Sequence, residues 1–248
     1  MRRLALLVFL VAPAALAQYT YIVPVAGVAF GFETDSFMWF NIVNPTATPA
    51  TVRYEAFYPI RRPNDCVQFD AEHIAPHAMV SQLPGPCYFT LHAFVLSSDQ
   101  PVDVTADVVF SIFRNNSIGA TTFERVDVAK GWLPPGTDVL IPLVRMYGGY
   151  ERANLFIVNP NDAVLTVNVH IERPESGASS DVVIRVEPQS LSLTAVPRIS
   201  GPKAIGSDPI VVDGIHNLTL RADGKFYASV SNILSESAVF RAPIPLQP

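Results

Sequence analysis

The stretch Ile157-Val158-Asn159-Pro160-Asn161-Asp162-Ala163-Val164-Leu165-Thr166-Val167-Asn168-Val169-His170-Ile171-Glu172 decides the fold. Its first half is an apolar run closed by Asn-Pro. Proline lacks the N–H a central β-ladder needs, so the chain must turn there. In its second half Leu165, Val167, Val169 and Ile171 alternate with Thr166, Asn168, His170 and Glu172. A period of two puts one face of a strand in a core and the other in water. The same alternation runs through Val102, Val104, Ala106 and Val108, and through Phe226, Ala228 and Val230 against Tyr227, Ser229 and Ser231. Outside the N-terminal leader no segment sustains a helical period. The reading is all-β, with about seven strands in each half closing as two packed antiparallel sheets.

The deciding stretch occurs twice. Ile42-Val43-Asn44-Pro45 returns as Ile157-Val158-Asn159-Pro160, and Thr51-Val52 and Pro59 return as Thr166-Val167 and Pro174. Upstream, Ile22-Val23-Pro24-Val25 parallels Leu140-Ile141-Pro142-Leu143. Downstream, Ile74-Ala75-Pro76 parallels Val186-Glu187-Pro188, and Ser98-Asp99-Gln100-Pro101-Val102 parallels Ala222-Asp223-Gly224-Lys225-Phe226. An ordered series with slowly drifting offsets is the signature of internal duplication. Pro134-Pro135-Gly136 separates the copies as a short, semi-rigid linker. The expected organisation is a leader at 1–17, a sandwich domain at 18–131 and a second at 132–248.

Composition agrees with such a build. Apolar residues make up 49% of the 248 and charged residues only 16%, with 22 prolines. Ordinary soluble domains carry about 25% charged residues, so long polar helices and disordered tails fit poorly. Met1-Arg2-Arg3, an uncharged run from Leu4 to Leu16 and the small-x-small site Ala15-Leu16-Ala17 read as a secretory signal peptide cleaved after Ala17. The run is well short of the roughly 20 residues of a spanning helix. Loss of Arg2 and Arg3 takes the formal charge from −5 to −7. That balance argues against a nucleic-acid groove and against a polybasic membrane patch, and no membrane insertion is expected. The localisation expected is secreted or periplasmic. In an oxidising compartment Cys66 and Cys87 are expected to form a disulfide, closing a loop of about 20 residues and contributing roughly 3 kcal/mol. The competing reading, a reactive thiol pair, more often shows Cys-x-x-Cys spacing.

The succession Ile-Pro, a strand ending in Val-Asn-Pro, Thr-Val alternation and a late Asp before the final strands resembles tandem immunoglobulin-like sandwich modules of secreted bacterial proteins. The resemblance covers nearly all of the mature chain. It implies an adhesive, spacer or binding role outside the cytoplasm, and it brings no catalytic residue.

A search for chemistry yields little. His73 and His77 have the four-residue spacing of helical zinc ligands, but Pro76 denies them the helix, so they read as solvated loop residues beside Asp70 and Glu72. His92, His170 and His216 read as surface positions. Ser200-Gly201-Pro202-Lys203 imitates Ser-x-x-Lys without the accompanying elements or a helix. Asp103 and Asp107 lack the alternating donors of a calcium loop, and Asp213-Gly214 and Asp223-Gly224 read as tight turns. Asn115-Asn116-Ser117 and Asn217-Leu218-Thr219 fit the glycosylation acceptor pattern. No cofactor, metal site or catalytic set is expected, and an enzyme is not. The expected function is binding or adhesion to a protein or polysaccharide of the cell envelope or matrix. Trp39, Trp132, Tyr147 and Tyr150 are the candidate contact residues, with a site at the cleft between domains near Trp132. Trp39, within Phe37-Met38-Trp39-Phe40, reads first as core or interdomain packing. The alternative is a structural subunit that self-associates by strand exchange through the apolar segment 18–32.

Overall fold

The computed structural model describes residues 19–26, 28–30, 34–59, 68–82, 92–114, 117–146, 152–196, 213–233 and 238–246. The leader, Cys66, Cys87, Tyr147, Tyr150, Ser200 and Lys203 lie outside them. All regular structure among the described residues is strand, arranged in four antiparallel sheets.

The N-terminal half supplies two sheets. One, here the inner N sheet, has the order β10 (Ala129–Lys130), β1 (Tyr19–Ala26), β7 (His92–Ser98), β4 (Ala50–Phe57), β5 (Gln68–Ile74). The other, the outer N sheet, centres on β3 (Thr34–Val43), which carries β2 (Val28–Phe30) and β6 (Met79–Gln82) on one side. On its other side lie β8 (Asp103–Arg114) and then β9 (Ser117–Val126). In the C-terminal half, β15 (Ser190–Ala195), β12 (Arg152–Asn159), β17 (Tyr227–Ile233) and β18 (Ala238–Arg241) form the inner C sheet. The outer C sheet runs β14 (Ala178–Val186), β13 (Leu165–Arg173), β16 (Gly214–Ala222), β11 (Val139–Met146), β19 (Ile244–Pro245). Each half therefore holds more strands than the expected seven, the excess being short edge pieces.

The strand order of the outer C sheet is that of the inner N sheet, strand for strand, and the inner C sheet follows the outer N sheet in the same way. Registers agree too. Tyr54 pairs with Leu96 as Val169 pairs with Leu220, and Phe40 pairs with Ala106 as Leu155 pairs with Val230. Val23-Pro24 and Ile141-Pro142 sit in matching register breaks, between Val23 and Ala26 and between Ile141 and Val144.

Val-Asn-Pro recurs for a reason that the hydrogen bonds disclose. Asn44 is fully buried, and its Nδ2 donates to the carbonyls of Thr48, Ile74 and Ala75 at 2.8, 3.0 and 3.2 Å. Its Oδ1 accepts from the Thr46 amide at 3.0 Å and the Thr46 hydroxyl at 2.7 Å. Asn159, equally buried, donates to the carbonyls of Ala163, Val186 and Glu187 at 2.9, 3.0 and 2.9 Å and accepts from Asn161. One amide thus ties the turn after one strand to the end of another, in the sheet opposite, at a site that water cannot serve. The late aspartates repeat as well: the Thr51 amide donates to Asp99 and the Thr166 amide to Asp223, at 2.7 and 2.9 Å.

Sheets pack face to face within each half. Phe40 of β3 meets Phe94 of β7 edge-on at 5.5 Å and Tyr54 of β4 at 5.9 Å. In the second half the Asn232 side chain of β17 grips the Arg145 backbone of β11, donating at 2.6 Å and accepting at 3.1 Å. The halves also pack on each other. β1 lies against β12 and β17, and the strands at this contact are buried at successive positions on both faces. They are Tyr21 to Val23, Ala93 to Leu96, Leu155 to Asn159 and Tyr227 to Asn232. β18 at the edge of the inner C sheet also lies against β9 of the outer N sheet, and one apolar core runs across the seam.

The two sheets of matching strand order differ on the face turned away from their own core. Residues of the inner N sheet that alternate away from their own core include Phe57, Ala93 and Val95, all buried. Their register equivalents on the outer C sheet are Glu172, Asn217 and Thr219, which solvent reaches.

The apolar segment 18–32 is divided between sheets. Its first strand, β1, is hydrogen-bonded on both sides, to β7 and β10, so it completes its own sheet.

Candidate functional site

The linker between halves is woven into both rather than suspended between them. Gly131 turns at φ +91°, in the left-handed region where a side chain is strained, and donates to the Thr20 carbonyl at 2.9 Å. Leu133, buried, exchanges two backbone hydrogen bonds with Phe226 at 2.8 and 3.1 Å. Gly136, at φ +72°, donates to the Ala222 carbonyl at 2.8 Å. The C-terminal β19 closes beside it through the Leu246 amide to the Asp138 carbonyl at 2.9 Å.

These ties enclose a cleft of about 340 Å³, near the lower end of the range small-ligand sites occupy. Trp132 supplies its accessible aromatic surface, and Tyr227 lines it as a buried residue. Pro134, Pro243 and Pro245 form stiff walls without N–H donors, and Asp127 and Lys130 place opposite charges on its exposed rim. Trp132 is half-buried, its ring edge-on to Phe57 at 6.2 Å, so the site rests on the seam between the two halves. Burial, with a smaller contribution from the Asp127 carboxylate, pushes the Tyr227 hydroxyl far above the ordinary tyrosine value. It is a neutral group at any physiological pH. The lining contains no Ser, Cys or His. Such a surface can stack, exclude water and hydrogen-bond at its rim.

Of the expected contact residues, only Trp132 is placed in this cleft. Trp39 lies on β3 opposite Asp107 of β8 in the backbone register, and its side-chain surroundings fall outside the described residues. Tyr147 and Tyr150, like both cysteines, fall outside them altogether. Tyr227, which periodicity placed only on the polar side of its strand, is the lining residue that sequence reasoning missed. Its signal is the run Phe226-Tyr227-Ala228, too apolar for a strand wetted on one face.

The histidines separate in the structure. His73, on β5, contacts the Thr51 hydroxyl at 3.2 Å, and His77 takes a left-handed turn at φ +57° between β5 and β6, the place Gln189 takes at φ +50° in the second half. Among the described residues no three His, Cys, Asp or Glu side chains gather in metal-binding geometry. Asp107 faces Arg125 at 3.5 Å. Asn217 lies in mid-strand and accepts from the Leu143 amide. Among the described residues no helix is long and apolar enough to cross a membrane.

His216 corrects the surface assignment. It is fully buried, in phase with Leu218 and Leu220 on β16, with Nδ1 at 3.1 Å from the Gly214 carbonyl and Nε2 unpartnered. Burial holds its pKa below the usual 6.5; Arg173 acts in the same sense and the Gly214 carbonyl opposes both. The native imidazole is therefore neutral where the unfolded one takes up a proton. Stability is full above about pH 6.5 and falls as pH drops from there through the lowered native value. Urea melts at about pH 7.5 and 5.5 will show this loss, and the variant His216→Gln will show a smaller one. An equal loss in the variant would assign the effect elsewhere.

No family model matches the chain, and no curated protein matches it significantly. Two solved structures align along most of its length. The lectin from Pleurotus ostreatus in complex with GalNAc is 11% identical, with a TM-score of 0.24, covering 94% of this chain and 82% of that one. The apo form of the Pleurotus ostreatus lectin is 10% identical, with a TM-score of 0.24, covering 94% and 85%. At that level of superposition neither residue roles nor ligands transfer, and the site is defined by its own geometry.

Proposed function

We propose that the chain is an exported, non-catalytic binding module made of two copies of one β-sandwich unit. Its ligand, a polysaccharide or protein of the cell envelope or matrix, is held at the seam cleft. The observation that carries this reading is the cleft itself: the half-buried Trp132 between proline walls, with a charged rim of Asp127 and Lys130. Aromatic faces with a few polar groups at the edge are what such ligands require.

Duplication is supported by the repeated registers, the paired asparagine clamps and the paired Asp99 and Asp223 contacts. An immunoglobulin-like ancestry is supported by the four central strands. β3 pairs with β6 and β4 with β7, as strands B with E and C with F do in that fold, whereas β1 and β8 occupy each other's customary positions. Export rests on the leader pattern alone.

The test is retention of the mature chain on solubilised envelope polysaccharide and on immobilised envelope proteins, alongside a glycan array. Lys130→Glu, at an exposed rim position, will weaken binding by about tenfold while leaving the melting curve unchanged. Blank results across all three supports would remove the reading.

A further inference from the structure

Edge strands expose unpaired backbone groups, and folds normally blunt them by keeping them short, bulged or studded with Lys and Pro. Most edges here are blunted. β2, β6, β10, β15, β18 and β19 have six residues or fewer, and β5 and β9 carry register breaks in their pairing. β14 is different. It has nine residues, pairs with β13 in unbroken register from Leu165–Val186 to Arg173–Ala178, and contains neither Pro nor Lys. No strand among the described residues lies on its other side.

Its side chains are also unfinished. Ser179, Asp181, Val183 and Arg185 stand exposed on the outer face, Val183 at 61%. Val182 and Ile184 point to the core yet are only partly covered. Among the described residues Arg185 has no ion-pair partner, while Asp181 contacts His170 at 2.8 Å with its own side chain 84% exposed.

We infer that β14 is a homodimer interface, pairing antiparallel with β14 of a second copy about a twofold axis through Val183. Charge complementarity selects this occupant and this register. With Val183 opposite its own copy, Asp181 falls opposite Arg185 and Arg185 opposite Asp181, so both charges are answered at once. On the core side Val182 falls opposite Ile184, and each covers what the other leaves open. A shift of two residues in either direction loses the charge match. The outer C sheets of the two copies become one ten-stranded sheet by main-chain pairing. β14 is at the opposite edge of its sheet from β19, whose Pro245 lines the seam cleft, so the dimer leaves both clefts open. It would present them as a bivalent pair. The interface does not depend on what the cleft binds.

Sedimentation velocity of the mature chain over a concentration series tests this. A reversible dimer is expected. Asp181→Arg and Arg185→Asp will each raise its dissociation constant about tenfold or more, because like charges then face each other twice. The double variant will restore dimerisation, since the exchanged charges still meet across the axis. Both sites are exposed, so far-UV circular dichroism should stay unchanged and separates lost pairing from lost folding. A chain that remains monomeric at every concentration overturns the proposal, and with it the case for a second copy over a foreign strand. So does a dimer indifferent to both single substitutions.

Discussion

Replacing Asn159 by Ala will cost about 3–5 kcal/mol, and Asn44→Ala a similar amount, in urea unfolding followed by tryptophan fluorescence and circular dichroism. Each amide satisfies three carbonyls and receives two donors at a buried site. Truncation leaves carbonyls of two strand ends without partners, each costing about 1–3 kcal/mol, and opens a small cavity as well. Asn159→Asp should be at least as damaging, because it replaces the donor by a charge facing carbonyl oxygens. Ser at either position recovers one bond and should fall between. A loss below about 1 kcal/mol for Ala would mean that the turns after β3 and β12 hold without the clamp.

The second large effect separates two residues that strand order makes equivalent. Val95→Asp will cost about 3 kcal/mol or more, whereas Thr219→Asp will stay within about 0.5 kcal/mol. Val95 is 6% exposed, on the inner N sheet, and alternates away from Phe94, which packs into the core of its own half against Phe40. A carboxylate there is buried in the seam without a partner. Thr219 occupies the same register position on the outer C sheet, opposite His170 and within reach of solvent. Because the apolar core is continuous across the seam, the native chain should unfold in one calorimetric transition. Equal costs for the two variants, or two separate transitions, would mean that the halves are independent beads.

The all-β character and many of the strands were legible in the sequence because they depend on local chemistry. Leu165 to Glu172 alternates as read, with Leu165, Val167, Val169 and Ile171 buried. The Asn-Pro motifs end strands where expected. What alternation alone could not supply was the second layer of burial. Tyr227, Ser229 and Ser231 read as a wetted face, yet all three are buried, because another sheet covers them. A period of two reports one buried face and is silent about a partner arriving on the other. The uninterrupted runs Leu155-Phe156-Ile157-Val158 and Ala93-Phe94-Val95-Leu96 carried that signal, since strands buried on both faces read as continuous apolar segments. His216 was likewise readable: it keeps phase with Leu218, Leu220 and Ala222. Pro134-Pro135-Gly136 says where the chain turns, not that Leu133 will pair with Phe226. Of the candidate site, Trp132 was legible; Tyr227 and the proline walls come from β17 and the C-terminal segment, which only the closed fold brings beside it.

The proposal that the seam cleft binds a ligand is tested most directly by light emitted from inside it. The chain has two tryptophans, and Trp39→Phe leaves Trp132 as the single reporter in the cleft. Titration of that variant with fractionated envelope polysaccharide and envelope protein should give, for one fraction, a saturable change in emission. The same change should be weakened by Lys130→Glu. A fraction that the chain retains on a column while Trp132 emission stays flat and Lys130→Glu has no effect would contradict binding at the cleft.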